Sequence, residues 1–378
     1  MNERKGVQAS ISGLPLSNSP ELEEFGRKKR PVFYLKADID IPDEVLCSLG
    51  KKRDREMDSL IPTISRECKN VFGKDPAFVT PLRGVGTFHW LYNVQLPGEK
   101  SYVFRAGVTE LPYHEFHFTI DPWIMEKLKE RGLPALEIVS VDLSRRLCSF
   151  DYAIMQKARG NPLNNFGDDN NLYKNLTSEL GCIVAKIHSL PCSGFGLIDI
   201  KNLLKHKTAK GVFSSWKEYI ALNLKGHIKI CLDIGAINPK EGTRIEDVFE
   251  DTTPLLDDFV RCLLHGDLGA PNIFSDGRVI SAVLDWEDCL IGDPVFDIAL
   301  WGTFYINNSE DRLKAFIEGY ETGRALPSDF ELRYWLYYLR VALSKTVHRH
   351  RFRYPDPVGG PPASHRIQKS LSKVEKLL

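Results

Sequence analysis

The densest group of chemically useful side chains in this chain lies at residues 263–299, which read LLHGDLGAPNIFSDGRVISAVLDWEDCLIGDPVFDIA. A short apolar run ends just before Asp267, and Asn272 follows five residues later. The next residues, IFSDGRVISAVLDW, have the pattern of a β-hairpin, because Asp-Gly is a strong turn signal. The second strand of that hairpin ends at Asp285. The stretch therefore predicts two carboxylates and one amide arranged around a hairpin.

These three side chains have the chemistry that phosphoryl transfer requires. The reaction needs a carboxylate to orient and deprotonate a hydroxyl, and oxygen ligands that hold magnesium against the phosphates. The five-residue step from Asp267 to Asn272 equals that of the kinase catalytic loop, whose Asp is the base and whose Asn binds metal. Alternatively, Asp267 and Asn272 cap a turn and Asp285 ends a strand. The combination favours Asp267 as catalytic base, with Asn272 and Asp285 as magnesium ligands.

The same stretch resembles a known family signature. HGDLGAPNI followed by VLDWEDCLIGDPVFDIA is similar to the catalytic and metal-binding elements of the aminoglycoside phosphotransferase and choline kinase superfamily. A weaker resemblance extends over about residues 75–345. Gly269 and Ala270 replace a His-Pro or His-Xaa pair of many members, which is expected to open the acceptor side. Asp293 and Asp297 correspond to residues that brace the catalytic loop, and we interpret them as structural.

The resemblance implies an α+β, protein-kinase-like bilobal fold, with a β-rich N-lobe, a helical C-lobe and a nucleotide cleft between them. Hydrophobic patterning divides the chain accordingly. The predicted parts are an N-terminal extension at 1–58, the N-lobe at 59–158, the C-lobe at 159–350, and a tail with a short helix at 351–378. In the extension, residues 31–41 (PVFYLKADIDI) alternate like a strand added to the edge of the next domain.

The N-lobe pattern predicts a small sheet of five strands with a single helix. That helix is expected over Asp121–Arg131, before a glycine stop signal. The predicted strands are 78–82, 90–96, 101–106, 136–141 and 152–156. In the C-lobe, apolar spacing predicts helices at 172–187, 214–232, 245–260, 310–323 and 330–350.

The nucleotide-binding residues are expected in the N-lobe. Gly84 and Gly86 lie in a turn before two strands, where kinases place the loop that covers the phosphates. Arg105 stands on the second strand, at the position of the cation that holds the α- and β-phosphates. Asp121 is its expected carboxylate partner, with Glu126 as the competing choice. An arginine can form a two-point pair with either a carboxylate or a phosphate.

The hinge between the lobes is expected at about 157–161. In this fold the backbone groups of Gln156 and Ala158 are expected to hold the purine, which predicts ATP as the donor, with GTP as the alternative. The YVFR strand, an Asp ahead of the helix and SGFG at 193–196 together resemble the hygromycin B phosphotransferase branch.

The bulk composition limits the possible partners. Fifty basic residues balance fifty acidic residues, so no net field favours nucleic acid or an anionic membrane. The N-terminus is polar and lacks an apolar leader. The eight cysteines are scattered without zinc-ligand spacing, and we interpret them as reduced core thiols, with disulfides as the alternative. We therefore expect a cytoplasmic, monomeric enzyme that binds a small-molecule acceptor and neither nucleic acid nor membrane.

The acceptor is the least determined feature. Residues 246–258 carry six carboxylates without a basic residue, and Glu287 and Asp288 lie beside the metal element. These carboxylates predict a cation-binding rim for an aminoglycoside or amino sugar; the alternative is a solvated helix face. A kinase for a sugar, amino alcohol or nucleoside is the second candidate, and a pseudokinase regulator the third. His188 is expected to be a buried structural histidine.

Overall fold

The structure is a computed structural model that describes residues 34–38, 56–84, 89–98, 100–107, 114–304, 310–354 and 362–378. The described residues form two compact units, which we call the N-lobe (56–158) and the C-lobe (34–38 together with residues from 159 onward). Most of the predicted extension at 1–58, including the basic clusters at 27–30 and 51–53, lies outside the described residues.

A five-stranded antiparallel sheet forms the N-lobe, in the order β1-β2-β3-β5-β4. Its strands are β1 (Phe78–Pro81), β2 (Trp90–Gln95), β3 (Ser101–Gly107), β4 (Ile138–Asp142) and β5 (Asp151–Gln156). Every strand predicted in this region is present within two residues of its expected ends. Alternate residues of β2 are buried, as the period of two requires, and one face of the sheet covers the core.

Two helices accompany this sheet, so the prediction of a single helix is wrong. Helix α1 (Ile61–Phe72) packs Ile64 and Cys68 into the N-lobe core, and its signal was obscured because it follows the polar extension. Helix α2 (His114–Glu130) begins seven residues before the predicted start. Proline is common in the first turn of a helix, so Pro122 predicted a helix start near residue 121, although it lies inside α2.

The C-lobe is mostly helical. Its helices are α3 (Asn170–Ile187), α4 (Ile200–His206), α5 (Trp216–Ile220), α6 (Leu224–Asp233), α7 (Pro239–Asp251), α8 (Pro294–Phe304), α9 (Glu310–Glu321), α10 (Phe330–Arg351) and α11 (Ala363–Leu377). The pair α3 and α9 packs closely at Gly319, where a Cβ would lie 1.8 Å from the carbonyl oxygen of Ser178. Glycine at this position therefore allows the two backbones to approach.

Two predicted helices have different boundaries in the structure. The helix expected at 214–232 is divided into α5 and α6 by Asn223, whose φ of 53° is incompatible with a continuous helix. The helix expected at 245–260 starts earlier, at Pro239, because Asn238 and Glu241 form a reciprocal capping box. It ends at Asp251, and a 3-10 helix follows at Thr253–Asp257.

Short strands complete the C-lobe. They are β6 (Asn161–Pro162), β7 (Cys192–Ser193), β8 (Phe195–Ile198), β9 (Ala209–Phe213), β10 (Cys262–Leu264), β11 (Ile273–Ser275), β12 (Ile280–Val283) and β13 (Leu290–Gly292). Strands β11 and β12 form the predicted hairpin, and β6 pairs with β11 on its other side. Strand β10 pairs with β13, which places the chain before Asp267 beside the chain that follows the hairpin.

The segment 34–38 belongs to the C-lobe and is not a strand. Residues Leu35–Asp38 form a 3-10 helix, so the prediction of a strand is wrong for these residues. Tyr34 is fully buried, with its ring stacked on Tyr219 and the Arg340 guanidinium 3.5 Å from its ring centre. Asp38 Oδ1 lies 2.7 Å from His227 Nε2. The alternating apolar residues that predicted a strand are instead buried against C-lobe helices.

The seven cysteines that the structure describes are all thiols. Burial raises the pKa of the Cys68 and Cys231 thiols to about 12, so they remain protonated at neutral pH. Five of the seven are buried, as expected for reduced core cysteines, whereas Cys182 and Cys192 are half-buried. Cys47 lies outside the described residues. In the described part of the chain, every helix is too short or too polar to cross a membrane.

Candidate active site

The loop that carries Asp267 is shaped by one glycine. Gly266 has a φ of 77°, and a Cβ at this position would lie 2.1 Å from the carbonyl oxygen of Asp288. Any other residue would be strained by its backbone and would clash with Asp288. The glycine therefore lets the chain turn sharply at the end of β10 and present Asp267 beside the hairpin.

The buried carboxylate of Asp297 braces this loop. It accepts hydrogen bonds from the backbone N–H groups of His265 at 2.7 Å and Gly266 at 3.0 Å. Its Oδ2 also lies 3.2 Å from His188 Nε2, and His188 Nδ1 lies 2.9 Å from the hydroxyl of Tyr320. Burial lowers the pKa of His188, so the ring is neutral and its Nε2–H donates to Asp297. The predicted structural roles of Asp297 and His188 are confirmed.

The second predicted brace, Asp293, acts on a different element. Its carboxylate accepts hydrogen bonds from Arg333 at 2.9 Å and the Tyr337 hydroxyl at 2.8 Å, both on α10. It also accepts the backbone N–H of Val295. Asp293 therefore fixes helix α10, whereas Asp297 fixes the loop before Asp267.

Asp267 is held by groups on both sides of the loop. Its backbone N–H donates to His265 Nδ1 at 3.2 Å, and His265 Nε2 lies 2.9 Å from the carbonyl oxygen of Leu284. The side-chain nitrogen of Asn272 donates to the backbone oxygen of Asp267 at 3.0 Å and lies 3.4 Å from Asp267 Oδ2. The structure therefore brings the predicted base and one predicted metal ligand into direct contact.

The same contacts orient Asn272 and bring Asp285 to it. Because the amide nitrogen of Asn272 faces Asp267, its amide oxygen points away from that carboxylate. The backbone N–H of Leu284 donates to the carbonyl oxygen of Asn272 at 2.8 Å, which places the backbone of Asp285 one residue from this contact. Asp285 has a left-handed backbone, with a φ of 67°. An amide oxygen and a carboxylate are the ligands that magnesium takes when phosphates supply the rest, so the residues fit this ion.

Sequence reasoning missed one residue of this site. Lys345 on α10 places its Nζ 3.1 Å from Asp267 Oδ1, and the two side chains are 18% and 14% exposed. A single lysine within an amphipathic helix carries no spacing signal, so only the fold reveals this ion pair. Gly269 and Ala270, which were expected to open the acceptor side, are both buried. A 3-10 helix, Ala270–Asn272, begins at the second of them.

In the N-lobe, Arg105 and Asp121 form a buried ion pair. Arg105 Nη1 lies 2.8 Å from Asp121 Oδ2, and the side chains are 10% and 4% exposed. The competing carboxylate, Glu126, is exposed. Gly84 has the left-handed backbone of a turn, with a φ of 71°, whereas Gly86 lies outside the described residues. The structure thus pairs the predicted cation with the first of its two expected partners.

Gln156 and Ala158 lie at the end of the N-lobe. Gln156 is the last residue of β5, and its backbone N–H donates to the carbonyl oxygen of Glu137 at 2.8 Å. Ala158 lies two residues beyond the end of β5, outside regular secondary structure.

Removing the charge of Arg105 is expected to destabilise the protein. Arg105→Ala leaves Asp121 as a buried carboxylate without its guanidinium, which lowers the free energy of unfolding by about 3 kcal/mol. Urea unfolding followed by tryptophan fluorescence measures the change, with exposed Lys129→Ala on α2 as the control. A midpoint equal to that of the control would show that the pair contributes nothing to stability.

The carboxylates proposed for a cationic acceptor fall into two groups. Those of α7 and the following 3-10 helix, including Asp247, Glu250 and Asp251, are mostly exposed. Glu287 and Asp288 are buried, at 2% and 4% exposure, within the 3-10 helix Trp286–Asp288, so they form no exposed rim. No group of three or more His, Cys, Asp or Glu residues in the described ranges could hold a metal ion.

A separate cavity of about 310 Å³ lies among α8, α9, α10 and α11. Its lining includes Phe330, Tyr334, Trp335 and Tyr338, and both Lys369 and Lys373 have their ammonium groups within 6 Å of the Trp335 ring centre. Trp335 and Tyr338 line this cavity, whereas Trp301 and Tyr337 are fully buried in the core.

A β-rich lobe, a helical lobe and this arrangement of Asp267, Asn272 and Asp285 define a kinase-like phosphotransferase class. The sequence profile of the phosphotransferase enzyme family named APH matches residues 92–330. The chain belongs to that family, which confirms the predicted superfamily and the α+β kinase-like fold.

Individual relatives are more distant. Hygromycin-B 4-O-kinase of Escherichia coli is 21% identical over 206 residues, which are 53% of this chain. The chain spans about half (55%) of the length of that curated relative.

Among solved structures, aminoglycoside phosphotransferase APH(4)-Ia superposes with a TM-score of 0.60 at 18% identity, over 82% of this chain and 98% of its own. A protein assigned as a fructosamine-3-kinase from Thermobifida fusca gives the same TM-score and identity, over 83% and 98%. These likenesses show the fold.

Proposed function

We propose that this protein transfers the γ-phosphate of ATP to a hydroxyl group of a small polar molecule, with magnesium as the metal. The observation that carries the proposal is the contact between Asp267 and Asn272, with Asp285 brought beside them by the hairpin. The family match supports the reaction class.

In the proposed reaction, Asp267 orients the acceptor hydroxyl and takes its proton. The acceptor oxygen forms a bond to the γ-phosphorus, while the bond from that phosphorus to the β–γ bridging oxygen breaks and ADP leaves. Asn272, through its amide oxygen, and Asp285, through its carboxylate, would hold magnesium, and the bound ion would supply neutralisation of charge on the phosphate oxygens. Asp297 and Gly266 keep Asp267 in place and do not react.

On the nucleotide side, we propose that Arg105 contacts the α- and β-phosphates and that Asp121 orients it. The buried pair at 2.8 Å supports this role, because kinases pair a strand cation with a helix carboxylate. The Gly84 turn would cover the phosphates, and Gln156 and Ala158 would hold the purine. Structural neighbours bind AMP-PNP, ADP or GDP, which supports a purine nucleotide. ATP is the first choice, with GTP as the alternative.

The first candidate acceptor is an aminoglycoside or related amino sugar. The curated relative is a hygromycin B kinase, and a neighbouring structure contains hygromycin B. The exposed carboxylates of α7 could contact the amines of such a molecule. A sugar or other metabolite is the second candidate, because Lys345 puts a positive charge beside Asp267 and because one neighbour is assigned as a fructosamine kinase.

A screen for acceptor-dependent ADP release tests the proposal. The purified protein with Mg-ATP is expected to release ADP faster in the presence of at least one aminoglycoside, sugar or amino alcohol, and mass spectrometry should show the acceptor gaining one phosphate. Omission of magnesium should stop the reaction, and GTP replaces ATP in a parallel series. Nucleotide binding without transfer to any acceptor would instead indicate the pseudokinase alternative.

A further inference from the structure

Lys345 is the charged side chain that faces the proposed base from helix α10. Its Nζ lies 3.1 Å from Asp267 Oδ1, and both side chains are mostly shielded from water. Exposed ion pairs contribute little, but a shielded pair has a more defined geometry and is less screened by salt. The two groups stand 78 residues apart in sequence, so the fold has to bring them together.

The position of Lys345 is fixed by its own helix. Five residues earlier, Arg340 is fully buried and donates hydrogen bonds to the carbonyl oxygens of Ile220 and Leu222. Arg333, about two helical turns before Arg340, is held by Asp293 at 2.9 Å. These buried contacts fix the position and rotation of α10. The helix therefore holds Lys345 at a defined place beside Asp267.

The two oxygens of Asp267 have different neighbours. Lys345 lies at Oδ1, at 3.1 Å, and the amide nitrogen of Asn272 lies nearer to Oδ2, at 3.4 Å. The closer and charged contact is the stronger one, so it determines the rotation of the carboxylate. Lys345 thereby turns the carboxylate so that its more weakly bonded oxygen, Oδ2, receives the proton of the acceptor.

We propose that Lys345 has two roles, positioning Asp267 and selecting the acceptor. The selected acceptor presents its reacting hydroxyl between uncharged or anionic substituents, and any ammonium groups bind farther away. This inference rests on the proposed function and deepens it by naming the acceptor chemistry. A second ammonium group next to Asp267 would compete with Lys345 for the same carboxylate and would be repelled by it. A neighbouring hydroxyl, amide or carboxylate meets no such repulsion.

The test compares two acceptors that differ in one charge. One acceptor is the best one found in the screen. The other is its analogue, in which the substituent beside the phosphorylated hydroxyl is changed from a free amine to an N-acetyl amine, or from an N-acetyl amine to a free amine. The wild type is expected to have a kcat/KM about tenfold or more higher for the uncharged member, a difference that corresponds to about 1.4 kcal/mol. ADP release with Mg-ATP gives both constants.

Three variants separate charge from structure. Lys345→Met keeps the apolar stem and removes the charge; it should bring the selectivity ratio close to one and lower kcat for the uncharged acceptor, with the KM for ATP unchanged. Lys345→Arg keeps the charge and should retain the ratio. Lys229→Met is the control, because that lysine is 73% exposed and pairs only with Asp233 on its own helix among the contacts described for it.

The outcomes distinguish this inference from the proposed function. If Lys345→Met is active and its selectivity ratio equals that of the wild type, the selecting role is overturned. If its kcat for the uncharged acceptor also matches the wild type, the positioning role is overturned as well. Should Lys345→Met fail to fold, judged by its melting temperature, the ratio in Lys345→Arg decides, and loss of selectivity there overturns the proposal. A wild type that phosphorylates no acceptor contradicts the proposed function itself.

Discussion

Asp267→Asn should lower kcat by about two to four orders of magnitude, the usual contribution of a positioned general base. The amide has nearly the same shape as the carboxylate and can keep the contact with Asn272, but it cannot accept the proton of the acceptor. ATP affinity should change little, because Asp267 is proposed to face the acceptor. Acceptor-dependent ADP release measures kcat, and calorimetric titration with Mg-ATP measures the affinity.

The matched control is Asp276→Asn in the turn of the same hairpin. Asp276 is exposed, and its Oδ1 accepts the backbone N–H groups of Arg278 and Val279, which an asparagine oxygen can also accept. This variant should retain the kcat of the wild type. Comparable rates in Asp267→Asn and Asp276→Asn would remove Asp267 from the mechanism.

Asp285→Ala should lower magnesium-dependent turnover by at least about a hundred- to a thousandfold, the scale for losing one electrostatic contact in a transition state. The loss follows because Asn272 alone provides one neutral oxygen to a metal that requires carboxylate support. The second readout is binding: Mg-ATP should raise the melting temperature of the wild type more than that of the variant.

Backbone strain has to be separated from this effect. Asp285 has a positive φ, so alanine adds a strain of about 1–2 kcal/mol that could lower the melting temperature by itself. Asparagine tolerates this conformation and removes only the charge, so Asp285→Asn should reproduce the loss of turnover without the strain. An active Asp285→Asn with a normal shift on Mg-ATP would assign this residue a purely structural role.

The local sequence was sufficient to predict the centre of the site. Asp267, Asn272 and Asp285 lie within nineteen residues of each other, and a hairpin with an Asp-Gly turn is a short-range structure. Their proximity therefore depends on local geometry, which a single sequence contains. The bracing role of Asp297 followed from its position in a recognisable motif, and the burial of His188 followed from its place at the end of a predicted helix.

The parts that could not be predicted depend on long-range contacts. Lys345 reaches Asp267 from a helix near the other end of the C-lobe, and nothing in the residues around it indicates that partner. The segment 34–38 has a strand-like alternation, but tertiary burial overrides that preference. Pro122 lies inside α2, although its usual position is the first turn, and the predicted start was therefore displaced.

The burial of residues 34–38 among C-lobe helices has a consequence for how the chain folds. Asp38 contacts His227 across 189 residues, and Tyr34 contacts Arg340 on α10. During synthesis this segment leaves the ribosome before every helix that receives it, so it has to wait until α10 has emerged. Contacts over such sequence separations close large loops and form slowly. The C-lobe therefore completes its core with a piece of chain made before the rest of that lobe, and docking of that piece belongs among the last steps of folding.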